Sequence, residues 1–193
     1  MSAHDQISAP ALLLAMPQIQ DPFFRQSVVL LLAHQDQGSF GFVINRPSKL
    51  RVVEILEDLE IGWQGAPDAM AFVGGPVQPQ LGTVLVGSGR GAADEIDSLT
   101  EVAPGIAITQ SLEHLGQLAA SPGATMRLIL GYAGWGEGQL VQEIGRHDWL
   151  VAPVDPILIF AEDPVQTWRD ALGSIGIDAE ILPTWTAASS EAN

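Results

Sequence analysis

Two apolar runs near the start of the chain predict strands that are buried on both faces. Residues 12–15 and 27–33 are apolar at nearly every position and are bounded by turn-forming residues. Continuous runs of this kind are typical of strands that are covered on both sides. Polar residues 35–38 connect the second run to a third predicted strand at 39–45. Because a connection this short cannot contain a crossover helix, these two strands must be antiparallel.

Helical periodicity and capping residues predict the helices. Apolar residues recur at helical spacing between residues 52 and 59, with acidic residues on the opposite face. Ser111 is a candidate N-cap for a helix that runs through Ala119, and Asp163-Pro164 places a cap before a proline at the first helical position. A further short helix is expected over residues 140–144. The remaining short apolar runs predict strands at 71–73, 83–86, 106–109, 126–130 and 157–160.

These elements indicate a single α+β domain with a largely antiparallel or mixed sheet. Roughly seven strands and three or four short peripheral helices follow one another without the regular alternation of a parallel sheet. The 193 residues contain no repeat, linker or low-complexity run, so we expect one domain over residues 1–193. The small, polar ends at 1–8 and 186–193 are expected to be loose.

The sequence favours a cytoplasmic location. The longest apolar runs have six residues, whereas a membrane-spanning helix needs about 20. No Lys or Arg precedes Arg25, so the positively charged region of a signal peptide is missing. The chain has no Cys, which excludes disulfides and thiolate chemistry and fits a reducing compartment.

The charge of the chain is strongly negative and unevenly placed. Twenty-three acidic and eight basic residues give a formal net charge of −15. Residues 1–51 hold four basic and three acidic residues, whereas residues 52–193 hold four basic and twenty acidic residues. Because nucleic-acid binding depends on neutralising phosphates with basic side chains, a nucleic-acid partner is disfavoured. Nothing in the sequence determines the oligomeric state.

No catalytic or metal-binding constellation can be assembled from the sequence. A nucleophile needs a base within hydrogen-bond reach, and the four histidines, His4, His34, His114 and His147, show no spacing that marks such a pair. No zinc or calcium motif is present. We therefore predict no catalytic residue, no metal site and no cofactor. A hydrogen bond from His34 or His147 to a serine or carboxylate in an apolar pocket would favour an enzyme instead.

Two local features are candidate contacts for a ligand. The glycine-rich run 131–138 follows a strand and precedes a helix, but Glu137-Gly138 stands where a phosphate-binding loop has Lys-Ser or Lys-Thr. We interpret the run as a structural turn, with ligand or partner contact as the alternative. Asn45 needs partners for its amide if it is buried. Arg46, with Arg25 near it, can bind a carboxylate bidentately, either in the chain or on a partner.

Three ordered blocks of sequence motifs span about residues 10–160. The first block comprises Met16-Pro17, Asp21-Pro22, Phe24, Ser27-Val28, His34, Gly41-Phe42 and Asn45-Arg46-Pro47. The second is Gly74-Gly75-Pro76-Val77. The third comprises Gly131-Tyr132-Ala133-Gly134-Trp135, Gly138-Gln139-Leu140, Glu143-Ile144 and Trp149. Together the three blocks resemble the AlgH/YqgE family.

The resemblance implies a bent, bifurcated sheet folded toward a pseudo-barrel, but it supplies no catalytic residues. Some members of the family carry a label as putative transcriptional regulators, without a recognisable DNA-binding motif. We expect a binding surface where Trp135, Asn45 and Arg46 converge. The predicted ligand- or partner-binding residues are Arg25, Asn45, Arg46, Gly75, Gly131, Gly134 and Trp135.

Three functions remain open from the sequence. The first is a binding or regulatory protein that acts on an unknown protein or small-molecule partner without catalysis. The second is a transcriptional regulator that binds DNA, which the charge of −15 opposes. The third is an enzyme of unrecognised type.

Overall fold

The structure is a computed structural model that describes residues 7–88, 96 and 98–183. Its strands are β1 (Ala11–Ala15), β2 (Val28–Gln35), β3 (Gly38–Val43), β4 (Pro47–Arg51), β5 (Met70–Val73), β6 (Val77–Gly87), β7 (Thr100–Ala103), β8 (Ile106–Thr109), β9 (Met126–Trp135) and β10 (Trp149–Ala152). Its α-helices are α1 (Val52–Asp58), α2 (Leu112–Ala119), α3 (Gln139–Gly145), α4 (Pro156–Ile159) and α5 (Pro164–Ser174). Of the ends predicted to be loose, residues 1–6 and 186–193 lie outside the described residues.

The sheet is mostly antiparallel and forks at β9. The main path runs β10-β1-β2-β3-β9-β6-β8-β7, and among the described strands only β5 and β9 pair in parallel. One edge of β9 pairs with β6, whereas the opposite edge pairs with β5 through Ile129 and Leu130 and with β3 from Ala133 onward. β4 extends the β5 branch. The predicted α+β class, the antiparallel hairpin of β2 and β3 and the curled sheet are confirmed.

The two apolar runs at the start of the chain are buried on both faces, as predicted. Leu12, Leu14, Val28 and Leu30 point into one hydrophobic cluster, which α5 covers with Trp168 and Leu172. The alternate residues Leu13, Ala15, Val29 and Leu31 point into a second cluster, which α3 covers with Leu140. A third cluster lies where α1 and α2 pack on β5, β6 and β9. The period of two along β1 and β2 thus divides their side chains between two layers of core.

Capping residues explain both the correct helix predictions and one wrong prediction. Ser111 caps α2 by accepting a hydrogen bond from the His114 amide, and Asp163 caps α5 in the same way. Residues 157–160 were predicted to be a strand, but they lie in α4 and its C-cap. Asp155 accepts a hydrogen bond from the Ile157 amide, with Pro156 at the start of the helix. The described residues therefore contain five short α-helices, where three or four were predicted.

Strand β9 continues through the first half of the glycine-rich run that was predicted to be a turn. It extends to Trp135, five residues beyond the predicted end of the strand. Strands β4, β7 and β10 were also not predicted. None of the described helices combines the length and the apolar character that crossing a bilayer requires.

Candidate functional site

The side chain of Asn45 joins three backbone segments. Its Oδ1 accepts a hydrogen bond from the Val28 amide at 2.8 Å. Its Nδ2 donates to the carbonyl oxygens of Gln26 and Pro164, at 3.0 and 3.4 Å. These bonds hold the start of β2 and the start of α5 against the end of β3. The amide thus finds the partners that its position requires.

Arg46 binds a backbone carbonyl in the structure. Its Nη2 donates to the carbonyl oxygen of Arg25 at 2.8 Å, and its buried Nε forms no hydrogen bond with another described residue. Burial lowers the pKa of Arg46, and the nearby carboxylate of Asp21 acts in the opposite direction. The ion pairs among the described residues join Arg51 to Glu54 and Arg146 to Asp148, so Arg46 has no carboxylate partner there.

Gly75 and Gly131 lie at the fork of the sheet, where backbones approach closely. A Cβ on Gly75 would lie 2.2 Å from the carbonyl oxygen of Tyr132. Gly131 has a φ of +71°, and a Cβ there would lie 2.8 Å from the carbonyl oxygen of Gly75. Side chains at these positions would force β5, β6 and β9 apart. Close packing of the backbone accounts for both glycines.

Trp135 belongs to a buried aromatic cluster organised by Glu143. One oxygen of Glu143, Oε2, accepts hydrogen bonds from the indole N–H groups of Trp135 and Trp149, at 2.9 and 2.8 Å. The other oxygen accepts from Gln139 at 2.9 Å. The ring of Phe24 packs against both indoles. Gly134 and Trp135 line a cleft of about 300 Å³ above this cluster.

The segment 21–26 connects the two groups of predicted residues. Phe24 contacts Trp135, while the carbonyl oxygens of Arg25 and Gln26 accept from Arg46 and Asn45 respectively. The contacts therefore link Asn45, Arg46 and Trp135 through one loop. Gly75 and Gly131 lie at the fork instead.

A cavity of about 350 Å³ lies between α1 and α2, above β6 and β9. Each element presents one face to it. On β6 and β9 the lining residues are two apart, as the alternation of a strand requires, and on the helices they are three or four apart. The lining residues are Ile55, Asp58, Leu59, Gln80, Gly82, Val84, Gln110, Ser111, Leu112, Leu115, Leu128 and Leu130.

The cavity is open because residue 82 is a glycine. A Cβ on Gly82 would meet one atom within 4 Å, the Cδ1 of Leu128 at 3.8 Å, so space remains where a side chain would stand. At the mouth, Leu59 and Leu112 are 42% and 60% exposed. Exposed apolar side chains beside an apolar cavity are typical of binding sites.

The polar groups at the mouth of the cavity are few. Gln110 donates from Nε2 to the hydroxyl of Thr83 at 2.9 Å. Ser111 accepts from the His114 amide at 3.3 Å and so serves the helix. The carboxylate of Asp58 is exposed and forms no ion pair with another described residue. The described lining residues include no Lys, Arg or His. The cavity can therefore exclude water from an aliphatic group while its rim stays negative.

Arg127 is a buried cation that the sequence analysis did not identify. It is 8% exposed, and its guanidinium donates to the carbonyl oxygens of Ile44 and Ala161. It also lies 4.2 Å from the centre of the Phe72 ring. Burial lowers the pKa of Arg127 to about 10, so the side chain remains charged at neutral pH. Arg127 thus ties β9 to the end of β3 and to the α4–α5 connection.

Two histidines form hydrogen bonds with hydroxyl groups. The Nδ1 of His34 lies 2.7 Å from the Oγ of Ser39, its direct partner across the β2–β3 hairpin. The Nδ1 of His114 lies 2.9 Å from the Oγ1 of Thr109. Ser39 also lines an open cleft of about 480 Å³ with Phe40, Tyr132 and Trp135. Among the described residues, no three His, Asp or Glu side chains are grouped closely enough to hold a metal ion.

Fold and cavity together define a class: an α+β protein with a curled, forked, mainly antiparallel sheet and an open aliphatic cavity. The sequence model of the family described as AlgH-like matches residues 12–180. The chain belongs to this family. The resemblance drawn from the three sequence blocks is thereby confirmed.

Relatives and solved structures agree with this assignment. The UPF0301 protein of Myxococcus xanthus is 38% identical over 177 residues, which cover 90% of this chain and 94% of the relative. A UPF0301 protein of Ruegeria pomeroyi is 41% identical over 174 residues, covering 89% and 93%. The solution structure of the AlgH protein from Pseudomonas aeruginosa has a TM-score of 0.68 at 35% identity, covering 95% of this chain and 98% of that one. A crystal structure of a Corynebacterium diphtheriae protein has a TM-score of 0.67 at 28% identity, covering 86% of each chain.

Proposed function

We propose that this protein binds a small apolar ligand in the aliphatic cavity and does not transform it chemically. The observation that supports this best is the cavity itself. Its volume of about 350 Å³ falls in the usual range of small-molecule sites. Among the described residues, seven Ile, Leu and Val side chains line it, and Gly82 leaves space beside them. In this proposal the protein is a regulatory binding protein whose occupied and empty states differ at the α1–α2 surface.

The polar groups of the lining favour binding over chemistry. General acid–base catalysis needs a titratable group held within hydrogen-bond reach of the reacting atoms. Here Ser111 caps a helix, Gln110 is anchored to Thr83, and Asp58 is exposed at the rim. These groups can orient the polar end of a ligand, while the aliphatic walls hold the rest.

A cytoplasmic location and a partner other than nucleic acid belong to the same proposal. The absence of Cys is compatible with a reducing compartment. The net charge of −15 opposes direct binding to DNA. Titration of labelled duplex DNA at low salt tests whether the protein binds nucleic acid. Tight binding that weakens steeply with added salt would support the transcriptional regulator instead.

The test of the binding function uses 1-octanol as a neutral probe and a substitution that fills the cavity. Gly82→Leu places a side chain in the empty space, whereas Gly173→Leu makes the same change on α5, where a Cβ meets nothing within 4 Å. We expect octanol to shift the NMR signals of Leu115 and Leu128 in the native protein. Gly82→Leu should weaken this binding at least tenfold, and Gly173→Leu should leave it unchanged.

Leu112→Ala provides a second variant because Leu112 is exposed and its truncation preserves the core. Removing this apolar rim should weaken octanol binding several-fold. The proposal fails if octanol does not bind to the native protein, or if it binds equally well when Gly82 is leucine in a folded variant. It also fails if neither Gly82→Leu nor Leu112→Ala weakens the binding of octanol.

A second candidate function is acyl transfer, and the His34–Ser39 contact favours it. A serine hydroxyl 2.7 Å from a histidine nitrogen has the geometry of a nucleophile and its base. Ser39 is only 8% exposed, however, and the contact joins direct partners in an antiparallel hairpin. Cross-strand polar pairs of this kind are common in sheets. We therefore place this function second.

A fluorophosphonate probe tests the acyl-transfer function. Attack of the Ser39 hydroxyl on phosphorus would release fluoride, while His34 takes up the hydroxyl proton, and the intact mass would rise by one phosphonyl group. The enzyme hypothesis predicts labelling that Ser39→Ala and His34→Gln abolish and that Ser48→Ala, at a serine outside the cleft, does not. Absence of labelling on the folded native protein refutes it.

A further inference from the structure

The mouth of the aliphatic cavity is negatively charged. Asp58 is the last residue of α1 and lies at the rim. The carbonyl groups at the C-terminal end of a helix add a partial negative charge, and the last turn of α1 contains no basic residue to offset it. The basic residue nearest in sequence, Arg51, is paired with Glu54 at the opposite end of the same helix.

The neighbouring side chains strengthen this potential. Glu57 and Glu60 flank Asp58 on the exposed side of the chain, and Glu113 is exposed in the first turn of α2 beside Leu112. His114, on the same helix, is bonded to Thr109. An anionic headgroup at the mouth would therefore meet the carboxylate of Asp58 and lie in the negative potential of its acidic neighbours. A cationic headgroup would be attracted there, most strongly at low ionic strength.

The interior limits the apolar part of the ligand. An apolar cavity of about 150 Å³ accepts benzene, so about 350 Å³ leaves room for an aliphatic chain of roughly eight to twelve carbons. Leu115, Leu128 and Val84 form walls without polar atoms, and Gln110 lies at the entrance. The inside of the site thus selects an alkyl group, and its mouth selects the charge of the head.

We propose that the cavity binds a cationic amphiphile, an aliphatic amine whose ammonium group lies at Asp58 and whose alkyl chain fills the space above Gly82. This inference rests on the proposed binding function and adds the chemical class of the ligand. Carboxylate amphiphiles of the same length should bind more weakly because of repulsion at the mouth. Each methylene added within the cavity should tighten binding about fourfold.

The experiment compares three probes of equal chain length at pH 7 and low salt, below the concentrations at which they form micelles. The probes are octylammonium, 1-octanol and octanoate, and binding is followed by the methyl signals of Leu115 and Leu128. We expect octylammonium to bind roughly five to ten times more tightly than octanol, and octanoate to bind most weakly. Asp58→Asn should reduce the advantage of the amine, since only the more distant carboxylates remain, without changing octanol binding. Glu162→Gln, on the exposed α4–α5 connection, is the matched control.

The outcomes separate this inference from the function on which it rests. Equal binding of octylammonium and octanol, or tighter binding of octanoate, overturns the cationic ligand while leaving an apolar binding site. The inference is also overturned if the affinity of octylammonium relative to octanol is as high in Asp58→Asn as in the control Glu162→Gln. Failure of all three probes to bind overturns the binding function itself.

Discussion

Replacement of Glu143 by leucine should destabilise the protein strongly, because it removes the acceptor for two buried indoles. In the native protein one carboxylate oxygen accepts from Trp135 and Trp149, and the other accepts from Gln139. Both indole rings are buried in the cluster that α3 covers. Leucine offers no acceptor at this position, so both indole N–H groups lose their protein partner.

The expected magnitude follows from the number of stranded donors. A buried donor left without a partner costs about 1–3 kcal/mol, and Glu143→Leu leaves two, so the free energy of unfolding should fall by roughly 2–6 kcal/mol. Glu143→Gln keeps an oxygen in place and should cost only about 1–2 kcal/mol. Since typical domains are stable by about 5–15 kcal/mol, both effects are measurable.

Urea unfolding followed by tryptophan fluorescence measures the difference in the free energy of unfolding. Glu137→Leu is the matched control, since Glu137 is exposed and should change stability by less than about 0.5 kcal/mol. The indole N–H resonances of Trp135 and Trp149 provide a second readout, because loss of a carboxylate acceptor shifts them. If Glu143→Leu matches the control in stability and leaves both resonances in place, the account of this cluster is wrong.

Three further predictions concern the fork, the buried arginine and a surface ion pair. Gly75→Ala should lower the midpoint of thermal unfolding by many degrees, since the new Cβ would lie 2.2 Å from backbone atoms, whereas Gly145→Ala, with open space around it, should raise stability slightly; equal midpoints would contradict this. Arg127→Ala should lower the free energy of unfolding by about 2–4 kcal/mol in chemical denaturation, because two carbonyl groups lose their donor. A loss below about 0.5 kcal/mol would show that these hydrogen bonds do not stabilise the fold. Arg51 holds the pKa of Glu54 below its usual value, so the stabilisation from this pair is present above the unfolded pKa of Glu54 and is lost as the pH falls through its folded pKa. An NMR titration should show the pKa of Glu54 rising in Arg51→Gln, and an unchanged value would refute the pairing.

Local rules predicted the parts of the fold that depend on neighbouring residues. The double-sided burial of β1 and β2 follows from their unbroken apolar runs, and the caps at Ser111 and Asp163 follow from single residues and their spacing. The strand predicted at 157–160 was wrong because Asp155-Pro156 starts a helix just before this apolar run. This capping signal is of the same type as Asp163-Pro164. A short apolar run alone cannot distinguish a strand from a buried helix.

The candidate site could not be predicted because its parts are distant along the chain. The cavity combines residues 55–59, 80–84, 110–115 and 128–130, and its space depends on one missing side chain at Gly82. Gly75 and Gly131 are among the predicted binding residues, and in the structure both also lie where backbones pack closely at the fork. The signal for Glu143 was present in the third block of the family resemblance, but its contact with two indoles depends on how α3 lies over β9.

The most direct test of the central claim is to locate a ligand in the cavity by intermolecular nuclear Overhauser effects. Native protein with octylammonium should show contacts from the terminal methyl of the probe to Leu115, Leu128 and Leu130, and from its first methylene to Leu59 or Gln110 at the mouth. Contacts from the probe to the aromatic cleft around Trp135, or an absence of contacts to all cavity residues at saturating probe, would contradict the account.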